Sequence, residues 1–124
     1  MALTVAPTPL FGLQEPRRIG SLFIRDHLWT LTSTYVTGGH ASTATDLFLT
    51  NLDQLVGIEF PAGPFTPTAG TTCVFPKWSP AAGAARGTIQ FFWTGAVVST
   101  AMAEVTNATS LSTFAGIVRV VSLS

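Results

Sequence analysis

Arg18-Ile-Gly-Ser-Leu-Phe-Ile-Arg-Asp-His-Leu-Trp-Thr-Leu-Thr-Ser-Thr-Tyr35 is the longest stretch that reads as extended backbone, and its reading decides the fold. Phe23, Trp29 and Leu31 fall on one parity of this run, and Leu22, Ile24 and Leu28 on the other. Side chains alternate across a strand, so a half-buried strand shows one apolar parity only. Two apolar parities predict partial burial on both faces, or a bulge that swaps them. Arg25-Asp26-His27 marks the crossover where such a bulge would fit. Tyr35-Val-Thr-Gly-Gly39 then ends the strand, since paired glycines take positive backbone angles at little cost.

Further strands follow on either side of turn signals. Leu52–Phe60 is a second candidate, with Leu52, Val56 and Ile58 on one parity, and Pro61-Ala-Gly-Pro64 closes it. Thr71–Trp78 is a third, and Pro76 places its end at a sheet edge. A loop of small residues, Ser79 to Ala85, leads into Gly87–Trp93, where Ile89, Phe91 and Trp93 oppose Thr88, Gln90 and Phe92. Residues 96–105 suggest another short strand. Ile117–Leu123 is the last, with Val118 and Val120 facing away from Ile117, Arg119, Val121 and Leu123. Thr43–Phe48 has room for one helical turn at most, and there is no internal repeat. Short strands between Gly/Pro turns give an all-β, antiparallel β-sandwich, expected to be jelly-roll-like.

The chain divides into an extended arm, residues 1–16, and a single sandwich domain, residues 17–124. Pro7, Pro9 and Pro16 exclude a regular helix in the arm. Leu3, Val5, Leu10, Phe11 and Leu13 make it too apolar for a solvated tail. It lies either on its own domain or on a neighbour, and both readings stand.

Charged residues are 10% of the 124, against about 25% in ordinary soluble domains. The apolar share is 47%, the net charge +0, and the mean hydropathy +0.45. No run approaches the roughly 20 apolar residues of a membrane span. Charge keeps small proteins apart in solution, so a chain this poor in it is expected to have much of its surface covered by other subunits. The N-terminal residues lack the basic start and apolar core of a signal peptide, so secretion is not expected. Asn107-Ala-Thr109 matches a glycosylation sequon but carries no meaning without that route. Cys73 is the only cysteine, which excludes an internal disulfide and reads as a small buried hydrophobe.

Catalytic motifs are missing: there is no nucleophile elbow, phosphate-binding loop or paired-cysteine zinc signature. His27 and His40 with Asp26 or Asp46 have no spacing of a known metal set, and adjacent Asp26 and His27 point to opposite faces of a strand. No enzyme activity, cofactor or metal is therefore expected. Six basic and six acidic residues leave no electrostatic footprint for nucleic acid. The residues expected to meet neighbours are Leu10 and Phe11 of the arm, the basic pair Arg17 and Arg18, and Trp29, Trp78 and Trp93. Large aromatics serve β proteins as core or interface anchors, or more rarely as a sugar-stacking platform.

Arg18-Ile19-Gly20 before a long strand, Tyr35-Val-Thr-Gly-Gly39, and Thr45-Asp-Leu-Phe-Leu49 together resemble small structural proteins of tailed-phage particles. Glu104-Val-Thr-Asn-Ala-Thr-Ser-Leu-Ser112 before the final strand extends the resemblance, which spans residues 17–60 and 87–124. Some members of that group resemble the cement proteins that decorate capsids, including those of cyanophages. The arm before Arg17 is longer than in that family, and residues 61–86 depart from its pattern. What the resemblance implies is a β-sandwich assembling as a homotrimer on the major capsid protein, at the capsid surface of a virion assembled in the host cytoplasm. A tail or neck subunit, or a glycan-binding attachment protein resting on the tryptophans, is the alternative.

Overall fold

Gly20 adopts φ +61, and with Ser21 it makes a two-residue turn across which Ile19 pairs with Leu22. The Arg18–Tyr35 run is therefore a hairpin, β2 (Arg17–Ile19) returning into β3 (Leu22–Leu31), rather than one strand. Positive φ at the first turn position suits tight hairpins, and glycine supplies it cheaply. The computed structural model describes residues 5–9, 17–67, 73–80, 86–93 and 102–123. Its other strands are β1 (Val5–Pro9), β4 (Leu55–Glu59), β5 (Phe75–Pro80), β6 (Gly87–Trp93), β7 (Ala103–Glu104) and β8 (Ala115–Ser122). All pairing is antiparallel, in two sheets. One runs β1–β3–β8–β4 with β2 also on β3; the other runs β5–β6–β7. The all-β antiparallel class is as the sequence indicates, and the described strands divide five and three without tracing a jelly roll.

β3 carries no bulge. Its register with β8 is unbroken from Phe23–Ser122 to Thr30–Ala115, so Arg25-Asp26-His27 is plain strand. His27, Trp29 and Leu31 face the core, whereas Leu28 lies on the outer face, 36% exposed. The second apolar parity is thus an exposed apolar face. The register shift falls in β4 instead, between Leu55 and Gly57. β8 alternates as its sequence indicates, with Gly116, Val118, Val120 and Ser122 inward. Of the arm, Val5–Pro9 pairs with β3 of the same chain, an edge position that suits Pro7 and Pro9 because they have no N–H to donate.

One core joins both sheets: Trp29, Leu31, Ile58, Val118 and Val120 meet Ile89 and Phe91, with Tyr35, Leu47, Phe65, Val74, Val105 and Leu111 from the connections. At one corner Phe65 exchanges backbone hydrogen bonds with Val74 (2.7 and 3.0 Å), while Thr66 exchanges them with Ala115 (3.0 and 2.8 Å). Two residues thereby tie the lead-in to β5 to the first residue of β8. Beyond the end of β3 the Tyr35 N–H donates to Thr109 and its carbonyl accepts from Ala108 (2.8 and 2.7 Å). The His40 backbone then pairs with Ile89 of β6 (2.8 and 2.9 Å).

Gly38 and Gly39 both have positive φ, +100 and +98, so both resist a side chain. Only at Gly39 would a Cβ also strike the Ile89 carbonyl oxygen, at 2.5 Å. Gly38→Ala should cost about 1 kcal/mol in urea unfolding and Gly39→Ala about 3 kcal/mol. Equal costs at the two positions would show that Gly39 does not approach the Ile89 carbonyl of β6 this closely.

Candidate interaction surface

β5 and β6 place Phe75 directly opposite Phe92 on the outer face of the smaller sheet. Phe75 is 38% exposed and Met102, beside β7, is 50% exposed. Together with Pro76, Lys77 and Phe92 they line a shallow, mainly apolar cleft. The larger sheet is apolar outside as well, with Leu28 beside Ile117 and Ile24 beside Val121. Ile19, Val56 and Leu123 are more exposed still, at 64%, 48% and 56%. One polar row crosses that face. Arg119 donates from Nε to Asp26 Oδ1 (2.8 Å) and from Nη2 to Oδ2 (3.2 Å), and Glu59 stands in register with it on β4. The fork on Asp26 is the main cause that raises the Arg119 guanidinium pKa above its ordinary value.

The anticipated interface residues are placed unevenly. Trp29 is wholly buried in its own chain and offers a neighbour nothing. Trp78 and Trp93 are partly buried and pack against the core from the inner side of β5 and β6. Arg18 is exposed, donating from Nε to the Gly20 carbonyl (2.9 Å) with its guanidinium over the Phe23 ring. The Arg17 side chain, Leu10 and Phe11 lie outside the described residues. The exposed aromatics among the described residues are Phe48 and Phe75, with Phe92 half-buried opposite Phe75. For Phe92 the signal was present, since it shares a parity with Thr88 and Gln90 rather than with Ile89 and Phe91.

The titratable side chains hold turns. His40 Nε2 meets Asp46 Oδ2 at 3.0 Å, and the Thr43 N–H donates to the same oxygen at 3.3 Å. Those bonds outweigh burial and hold the Asp46 carboxyl below its ordinary pKa. Asp26 and His27 take opposite faces of β3, as their adjacency dictates. Among the described residues no group of three or more His, Cys, Asp or Glu could hold a metal ion. Cys73 is a free, half-buried thiol.

Tyr35 uses its hydroxyl as both donor and acceptor. Its hydroxyl donates to Glu104 Oε2 and accepts from the Phe91 N–H (3.4 Å). Glu104 Oε2 also accepts from the Gly38 N–H at 2.7 Å. Burial pushes the phenol pKa up, while the Tyr35 hydroxyl, first among its causes, lowers that of Glu104. A carboxyl lowered on folding adds stability above its unfolded pKa, and that stability is lost as pH falls through the folded value. Tyr35→Phe should therefore cost about 1–2 kcal/mol at pH 7. It should also flatten the fall in stability below about pH 4.5, where the unfolded carboxyl takes up its proton. A denaturant series from pH 7 to 3 measures both, and an unchanged acid limb would remove Glu104 from that role.

No protein-family model, curated protein or solved structure matches this chain.

Proposed function

We propose that the chain is a structural subunit of a tailed-phage particle, a cement protein that binds the assembled major-capsid shell as a homotrimer. The observation that carries this reading is apolar surface on the outer faces of both sheets in a chain with 10% charged residues. Such a surface is costly in water and becomes favourable once a neighbour covers it. The resemblance of the Arg18–Leu49 and Glu104–Ser112 motifs supplies the kind of particle. The mechanism is linkage: a protein that binds only the assembled shell stabilises it by about 2.7 kcal/mol per site at a hundredfold excess over Kd. Summed over a shell, contacts of that size resist the pressure of packed DNA without any catalytic residue. With all three tryptophans in or against the core, the glycan-binding alternative loses the feature on which it rested.

Light scattering at micromolar concentration should give three times the chain mass. Phe75→Ser with Phe92→Ser should lower that mass while shifting the melting temperature little, because Phe75 is already partly in water. A monomeric wild-type chain would reject self-association. Shells assembled with and without the protein should then differ in DNA retention after heating or osmotic shock. Equal retention would reject the cement role in favour of a tail or neck station.

A further inference from the structure

His27 is the one histidine on the inner face of a strand, and it is 2% exposed. Its ring bonds to the Asp46 backbone carbonyl, so the nitrogen in that bond carries the proton, while Nδ1 has no partner. Phe48 meets the ring edge-on, with centroids 4.3 Å apart. Asp46 and Phe48 both belong to the 43–49 turn, which lies over this end of the core and buries Leu47 and Leu49. Within the turn, the Leu47 N–H donates to the Thr43 and Ala44 carbonyls, Phe48 to Thr45, and Leu49 to Ala44. Phe48 pays for its position with φ +55, a left-handed angle that bulky residues avoid. The turn is thus held from below by an imidazole and strained at the residue that touches it.

A second proton on His27 would find no acceptor. Arg25 lies two positions away on the same face of β3 and repels an imidazolium there, outweighing the attraction of Asp26, which lies on the opposite face with its carboxylate engaged by Arg119. Across the sheet, His27 stands between Val118 of β8 and Pro9 of β1, which carry no charge. From the turn, Asp46 presents its carbonyl to His27 and its carboxylate to His40, whose ring lies edge-on to Trp29. The Trp29 indole N–H and the Ser42 hydroxyl are likewise buried without partners.

We propose that the 43–49 turn is an acid-released latch, which lifts from β3 when His27 is protonated while the two sheets stay paired. Desolvation first, then Arg25, lowers the His27 pKa from 6.5 to about 4. The closed turn therefore binds the proton less tightly than the open one, and closure weakens as pH falls from about 6.5 toward 4. Because Arg25 stays on β3 when the turn opens, the full difference sets an upper limit of roughly 300-fold in the opening equilibrium, of which at most roughly 25–30-fold is reached between pH 7.5 and 5. At pH 5 carboxylates in the ordinary range remain ionised, so loss of Asp46 charge is not the trigger there. The inference stands independently of the assembly reading.

Amide hydrogen exchange on the whole chain, corrected for the intrinsic effect of pH, tests it. Protection of the Leu47, Phe48 and Leu49 amides should fall severalfold, by up to roughly 25-fold, from pH 7.5 to 5, with that of β8 nearly unchanged. His27→Phe should abolish this dependence and His40→Gln should retain it. In the wild-type chain, the assigned His27 ring resonances should titrate together with the loss of turn protection, which decides the matter even if His27→Phe fails to fold. Equal loss of protection in the turn and β8 would overturn the latch. Dependence that survives His27→Phe, dependence abolished by His40→Gln, or a His27 ring that titrates while the turn stays protected would each do the same.

Discussion

Phe65 can occupy its place only because residue 116 has no side chain. A Cβ on Gly116 would lie 2.3 Å from the Phe65 ring, and that ring is wholly buried. It stands edge-on to Phe91 with centroids 5.1 Å apart and reaches Phe60 at 6.3 Å. The ring thus sits over β8 of one sheet and meets β6 of the other, at the corner where backbone bonds join them. Edge-to-face aromatic contacts add only about 0.5–1.5 kcal/mol beyond area. Their importance here is positional, because the ring sets how closely the sheets approach. A shorter residue at 65 would leave a cavity between them, and a larger one at 116 would push them apart.

That corner explains which parts of the fold were legible in the sequence. β6 and β8 could be read from alternation because each has one buried parity, and both were placed within two residues. In the Arg18–Tyr35 run the apolar pattern hides the Gly20-Ser21 turn, and β3 is apolar on both faces, so alternation alone does not divide the hairpin. Parity reports that a side chain is apolar, not that it is covered. Trp29 and Leu28 look alike on that measure, yet one is enclosed and the other faces outward. The joins at Thr66–Ala115 and Tyr35–Thr109 are invisible for a different reason. They are backbone bonds between single residues far apart in the chain, with no periodicity to betray them.

The candidate surface was legible only in outline. A low charge content implied that apolar surface is left over, but not where. Aromatic size drew attention to the tryptophans, which went where size is best rewarded, in or against the core. The remaining surface is made of smaller pieces: the Phe75–Phe92 pair, Met102, and the exposed Ile19, Val56 and Leu123. Their grouping depends on cross-strand register, as when Phe75 comes to face Phe92 across a loop of small residues.

The outer face of the larger sheet carries one further constraint. Asp26 and Arg119 lie between the apolar rows Leu28–Ile117 and Ile24–Val121, so their fork is flanked by apolar side chains on both sides. In water such a pair contributes little, since solvent screens it and two side chains must be held still. Covered by a neighbour it would lose its hydration, and a buried pair then breaks even only when its remaining lone pairs and protons are also bonded. A subunit laid on this face would therefore gain from the apolar rows only in a register that offers polar partners to the Asp26–Arg119–Glu59 row. Shifted by two residues along the strands, about 6.8 Å, the same subunit would bury charge against hydrocarbon. Under the assembly reading, the apolar rows supply the affinity, and the Asp26–Arg119–Glu59 row restricts which way round the contact can form.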